Sequence, residues 1–315
     1  MDDIKHSEYD AGLESVKWKV GMTSRNEQLY LRWFVQNHFK GTGALVELGC
    51  WMGSLTRVTC DGFNANADLD IQQLDYHVYD QFAWLSYMED TVTKLNLPFP
   101  RKLEIGEDFL PLFKHYNADI THLFTTHKAD LTKEQWTGGP IELLIIDAMK
   151  DESLCNNISS RFFPALVPGT SYILQQDFMH FYESWIHVSC YRLRDYIKPV
   201  FVVPDSGSLI LKVCDSPPAE TLAFESSMAD ISAEEIEATY KWAFGLVEKK
   251  AKNVIAAAHT MAWFHRGDVD RATGLYADYT KQYPRESSLT PHFYQFEHLR
   301  DYVIKFGFVD DLPPV

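Results

Sequence analysis

Three acids, a lysine and a histidine are the residues of this chain whose types and spacing suit chemistry. Asp147 closes the all-apolar run Leu143-Leu144-Ile145-Ile146, with Lys150 three positions on; Asp177 closes Ile173-Leu174-Gln175-Gln176, with His180 three positions on. A run that is apolar throughout reads as a strand buried on both faces, and an acid at its carboxyl end emerges where open α/β sheets bind ligands. A carboxylate, an amine and an imidazole with an ordinary pKa of about 6.5 are groups that take or hold a substrate proton. His180 reads equally well as a partly buried histidine with a hydrogen-bonded ring. The third acid, Asp80, ends Val78-Tyr79-Asp80-Gln81-Phe82. Beside the first loop of a doubly wound sheet, a carboxylate at that point accepts both hydroxyls of a ribose. It could also cap a helix starting at Phe82.

The elements that would position these groups begin with Val46-Glu47-Leu48-Gly49-Cys50-Trp51-Met52-Gly53-Ser54, an apolar strand that breaks into two glycines four apart. A glycine is needed where the backbone turns tightly or approaches a ligand or another strand without a Cβ. Upstream, Ser24-Arg25-Asn26-Glu27 has the spacing of a capping box ahead of Leu31, Phe34, Val35 and Phe39, so a helix leads into this strand. Further apolar runs at 76–79, 102–105, 141–146 and 171–174 alternate with helical or polar stretches, which predicts a parallel sheet, and 121–126 is also strand-like. The runs 199–203 and 208–213, separated by Pro204-Asp205-Ser206-Gly207, predict an antiparallel pair at one edge.

The glycine turn resembles motif I of the S-adenosylmethionine (SAM)-dependent methyltransferases with a Rossmann-like sheet. Asp147-Ala148-Met149-Lys150-Asp151 resembles the Asp-x-x-Lys-Asp signature of the catechol and caffeoyl-CoA O-methyltransferases. Leu166-Val167-Pro168-Gly169-Thr170 with Ile173 to Phe178 resembles the next strand of that group and of the macrocin-type sugar O-methyltransferases. The likeness spans about residues 24 to 213. It implies a cofactor site of Glu47, Gly49, Cys50, Trp51, Gly53, Ser54, Asp80, Gln81, Phe82 and Asp147, with Asp130 toward the adenine amine. It also implies Lys150 as base toward a substrate hydroxyl and Asp147 as ligand to a magnesium ion, with Asp177 the second acid of that site; without a metal, Lys150, Asp177 and His180 are the candidates to take the substrate proton. This chain departs from the signature at Gln176, a neutral amide where the metal-dependent relatives carry an acid, which weakens such a site. Asp130 also suits the cap of a helix from Thr132.

The expected fold is α/β: a Rossmann-like, doubly wound, mostly parallel sheet with an antiparallel edge strand and a C-terminal all-helical extension. Residues 1–40 read as an N-terminal helical segment, 41–215 as the SAM-binding domain and 230–315 as the helical extension, after the linker-like Asp215-Ser216-Pro217-Pro218. Aromatic residues crowd Phe178 to Tyr196, suited to walling an acceptor pocket or to packing a helix on the sheet. With 315 residues and a net charge of −15, the chain suits a small neutral or cationic substrate better than nucleic acid or an anionic membrane surface. Five scattered cysteines without a C-x-x-C pair suggest neither zinc nor a disulfide framework, and a cytoplasmic setting is the default expectation. The acidic surface and helical tail are compatible with a homodimer. A SAM-fold protein without turnover, whose tail binds a protein partner, is the rival reading; a nicotinamide dehydrogenase is disfavoured by the glycine spacing.

Overall fold

A computed structural model describes residues 4–9, 21–94, 101–222, 227–288 and 294–315. Its centre is a seven-stranded sheet built from β1 (Ala44–Leu48), β2 (Tyr76–Asp80), β3 (Thr125–Lys128), β4 (Ile141–Ile146), β5 (Tyr172–Gln175), β6 (Ile197–Val202) and β7 (Leu209–Val213). The strand order is β3-β2-β1-β4-β5-β7-β6. The first five strands in that order are parallel, and β7 pairs antiparallel with both β5 and β6. The order reverses between β1 and β4, and in open α/β sheets the crevice at such a reversal is where ligands bind. The fold is therefore a Rossmann-like α/β fold with an antiparallel edge pair.

Strand residues alternate between two apolar layers, as a period of two requires. Leu45, Leu143, Ile145 and Leu174 face a layer with α1 (Arg25–Asn37) and α2 (Ser54–Ala65); Val46, Leu48, Leu144, Ile146 and Ile173 face the other. Ser24 caps α1 in the predicted capping box, its Oγ accepting from Glu27 N and the Glu27 carboxylate accepting from Ser24 N. The second layer holds α5 (Glu152–Arg161) and α6 (Ser184–Leu193), and its apolar cluster continues without a break into the C-terminal helices. Those are α8 (Ala233–Leu246), α9 (Lys252–Arg266), α10 (Val269–Gln282) and α11 (Gln295–Lys305); α3 (Ser86–Lys94), α4 (Leu110–Tyr116) and α7 (Ala219–Leu222) are shorter. α8 and α9 pack on α6, and α10 and α11 pack on α9. Along α9, Ile255 to Ala258 and Met261 to Phe264 are all buried, because its alanines let neighbouring helices approach on several sides.

Four local expectations need correction. Residues 102–105 form no strand: Ile105 is 74 % exposed, and the segment is held in a loop where Trp84 N donates to Glu107 O and Gly106 N to Trp84 O, both 2.8 Å. The outermost parallel strand is β3, which shares only Thr125 and Thr126 with the strand-like stretch 121–126; Thr121–Leu123 is a 3-10 turn. No helix starts at Phe82; α3 (Ser86–Lys94) begins four residues later. After Asp130 the chain makes a turn instead of a helix. No helix among the described residues is long and apolar enough to cross a membrane.

Candidate functional site

Backbone pairing continues past the strand ends and brings the candidate residues to one edge of the sheet. Gly49 N donates to Tyr79 O, Asp147 N to Leu48 O and Gln176 N to Ile146 O, at 2.8, 2.8 and 3.0 Å. Three of the four non-glycine residues with positive φ among the described residues, Trp51, Phe82 and Asp177, sit just beyond β1, β2 and β5. Left-handed backbone at a side-chain-bearing residue costs about 1–3 kcal/mol and persists only where the surroundings enforce it. Its concentration at one edge makes that edge the candidate site.

The glycine loop is fixed from inside the protein. A Cβ on Gly49, at φ +86°, would lie 2.5 Å from Asp147 O, and one on Gly53, also at φ +86°, would meet Asn117 Nδ2 and Phe113 Cε2 at 2.8 and 2.9 Å. Both glycines are thus demanded by neighbouring chain. Glu47 lies beneath the loop, 1 % exposed, and its Oε2 accepts from the hydroxyls of Thr56, at 2.9 Å, and Tyr76. Burial raises its carboxyl to about 7, against the lowering effect of those two hydrogen bonds. Ser54 is also buried, its Oγ 3.1 Å from Thr23 Oγ1, so the N-terminal segment crosses the start of α2. Gly53, the N-cap of α2, supplies no side-chain cap. Cys50 is buried, and its thiol is pushed well up by that burial.

Asp80 joins the two loops that flank the crevice. Its Oδ2 accepts from Trp51 N at 2.9 Å and its Oδ1 from Phe82 N at 2.7 Å. Burial raises this carboxyl, and the backbone N–H groups of Phe82, Trp51, Cys50 and Gln81 oppose the rise. The Trp51 indole Nε1 is buried without a hydrogen-bond partner among the described residues. Phe82 turns inward onto Phe109 and Phe113, while Gln81 is exposed. Asp130 stands apart: it is exposed, accepts from Thr132 N and Oγ1, pairs with Lys133 Nζ at 2.7 Å, and is held down to about 2 by that lysine and Thr132.

On the other side of the reversal, Lys150 bridges two acids. Its Nζ donates to Asp147 Oδ1 at 2.7 Å and to Asp177 Oδ2. The side chains of Asp147, Asp177 and Lys150 are 19, 22 and 40 % exposed, so the group reaches solvent from the edge of the crevice. Burial pushes the Asp147 carboxyl up to about 7, against the pull of Lys150. Burial would raise Asp177 as well, but the Lys150 ammonium, then His180, bring it below the usual carboxylate range. Burial works against the charge on Lys150, yet the two carboxylates hold its pKa well above the ordinary value. His180 is turned away onto Glu183, with Nδ1 3.3 Å from Oε2, and its ring lies 4.2 Å from that of Tyr182.

Of the aromatic residues that follow, Phe178 and Phe181 are buried in the core. Trp185 donates to Met149 O at 2.8 Å and packs by His265; Tyr182 packs 4.8 Å from Tyr302 of α11. They dock the C-terminal helices beside the acid and lysine group. Two residues near the site escape sequence reading. Tyr87 is 47 % exposed and feels the charges of Lys150, Asp147, Asp80 and Asp177, but no motif surrounds it. Glu27 is visible in sequence only as a helix cap, yet it also accepts from Ser208 Oγ at 2.7 Å and Gly207 N at 3.1 Å. No protein-family model and no curated protein matches this chain.

Proposed function

We propose that the chain is a SAM-dependent methyltransferase acting on a hydroxyl of a small, sugar-like or phenolic molecule. One observation carries the reading: on either side of the β1/β4 reversal stand an acid tied to the glycine loop, Asp80, and a bridged acid–lysine–acid group, Asp147, Lys150 and Asp177. The residues present suit the cofactor. With Trp51 N and Phe82 N bonded to it at 2.9 and 2.7 Å, the Asp80 carboxylate has lone-pair capacity left for a ribose hydroxyl, and the Trp51 indole, without a partner among the described residues, has a hydrogen bond to give. Bound SAM would supply a methyl group activated on a sulfonium, leaving the protein to align the acceptor, exclude water and take its proton.

Lys150, kept charged by two carboxylates, has no free lone pair with which to act as base; it serves instead to stabilise an oxyanion developing on the acceptor. Asp147, whose carboxyl burial raises while the Lys150 ammonium and His180 hold Asp177 down, is the better proton acceptor of the two acids. Asp177 holds the lysine in place. The surrounding acids, Asp80, Asp147, Asp177 and Glu183, suit a cationic sulfonium.

Calorimetric titration with SAM and S-adenosylhomocysteine, in magnesium and again in excess chelator, tests this reading. Micromolar binding is expected in both media, and Asp80→Asn should weaken it by about 10- to 100-fold, the worth of one charge-assisted hydrogen bond. Absence of binding by the wild-type protein to either ligand would overturn the reading.

A further inference from the structure

Asp147 and Asp177 are the acids that a divalent cation would bridge, and the structure puts an ammonium between them. Magnesium asks for near-octahedral oxygen ligands at about 2.1 Å. Among the described residues, no three His, Cys, Asp or Glu side chains are grouped to hold a metal. The side chains present do not fit magnesium, and Gln176 shows why.

A primary amide has one donating and one accepting end, and Gln176 lies between two acids. With its nitrogen toward Asp147 it donates to Oδ1 at 3.1 Å and to Oδ2 at 2.8 Å. Reversed, its oxygen would face two carboxylate oxygens, and its nitrogen would keep only a 3.4 Å contact with Glu27 Oε1. The first orientation is therefore preferred, and it directs the amide oxygen at Glu27. That residue is 4 % exposed and pinned by Ser24 N, Ser208 Oγ and Gly207 N. Burial raises the Glu27 carboxyl, partly offset by its hydrogen bonds to Ser208 and Ser24.

We propose that Gln176 is a positioning residue that decides the cation of this site: its amide nitrogen occupies one side of Asp147 and leaves the Lys150 ammonium, in place of a divalent metal, between Asp147 and Asp177. The proposal stands on the geometry of the cluster, and it rests on the methyl-transfer reading only for what the built-in cation does there. An acid at 176 would restore the missing anionic oxygen, and removing the lysine would vacate the position.

Manganese(II) titration followed by electron paramagnetic resonance tests this without an acceptor or SAM. Wild type is expected to bind Mn2+ no better than Asp147→Asn does, whereas the double variant Gln176→Asp/Lys150→Met should gain at least about tenfold, and lose that gain when Asp147→Asn is added. Saturable Mn2+ binding by wild type that disappears in Asp147→Asn would overturn the proposal. So would a double variant with wild-type circular dichroism and no gain. If the double variant does not fold, the wild-type titration decides. Failure to bind SAM would remove the methyltransferase reading and leave the Mn2+ result intact.

Discussion

Gly49→Ala is expected to lower the unfolding free energy by about 2–5 kcal/mol, the sum of left-handed strain on an L residue and overpacking against fixed backbone. At φ +86° the new methyl would lie 2.5 Å from Asp147 O. That carbonyl cannot easily retreat, because Asp147 N is bonded to Leu48 O, and Gly49 N is itself bonded to Tyr79 O. The strain would fall on the point where β1, β2 and β4 are tied together. Gly106→Ala is the control: its φ is +85° with nothing within 4 Å of the added carbon, so only the conformational cost of about 1–2 kcal/mol applies. Denaturant unfolding of both variants decides the matter. Equal losses would show that the contact with Asp147 contributes nothing.

Stability should also fall as pH rises through the Glu47 transition, and Glu47→Gln should remove much of that fall. The carboxyl stands at about 7 in the fold and at 4.5 when unperturbed. An acid raised by folding binds its proton more tightly in the folded chain, so its contribution is most favourable below about pH 4.5 and is lost as pH climbs through about 7. The loss amounts to roughly 3 kcal/mol, since each pH unit of separation corresponds to about 1.4 kcal/mol. Above that pH the fold carries a buried carboxylate with only the hydroxyls of Thr56 and Tyr76 to stabilise it. Glutamine keeps a carbonyl for those donors and has no charge. Denaturant unfolding at pH 5, 6.5 and 8 should therefore give a shallower decline for the variant; parallel declines in the two proteins would refute this account.

Much of this was legible from short-range pattern. The apolar runs ending in Asp80 and Asp147 are strands in the central sheet, and both acids lie at its carboxyl edge, because a strand buried on both faces leaves its first polar residue to emerge at the end. The run at 102–105 is short and carries two charged residues among its four, and Glu104 N donates to the Glu107 carboxylate instead of to a neighbouring strand. The pairing of Glu27 with Ser208 spans 181 residues, and no local spacing encodes it. The state of Lys150 was hidden for a similar reason. A lysine three positions after an acid looks like a base in waiting, and only the approach of Asp177 from the next strand puts it between two carboxylates. The aromatic segment after Phe178 was open to two readings, and the contacts of Trp185 and Tyr182 with the last helices favour packing.

The covering of α6 by α8 and α9 sets an order of assembly during synthesis. α6 ends at Leu193 and α9 at Arg266, so about 70 residues must still be made after α6 before its apolar partner exists. At about 5–20 residues per second the nascent sheet waits roughly 4–15 seconds with that surface bare to water. A ribosome-bound chain halted in this interval would present a sticky face that the finished molecule never shows, making this the stage at which chaperone capture or aggregation competes with folding.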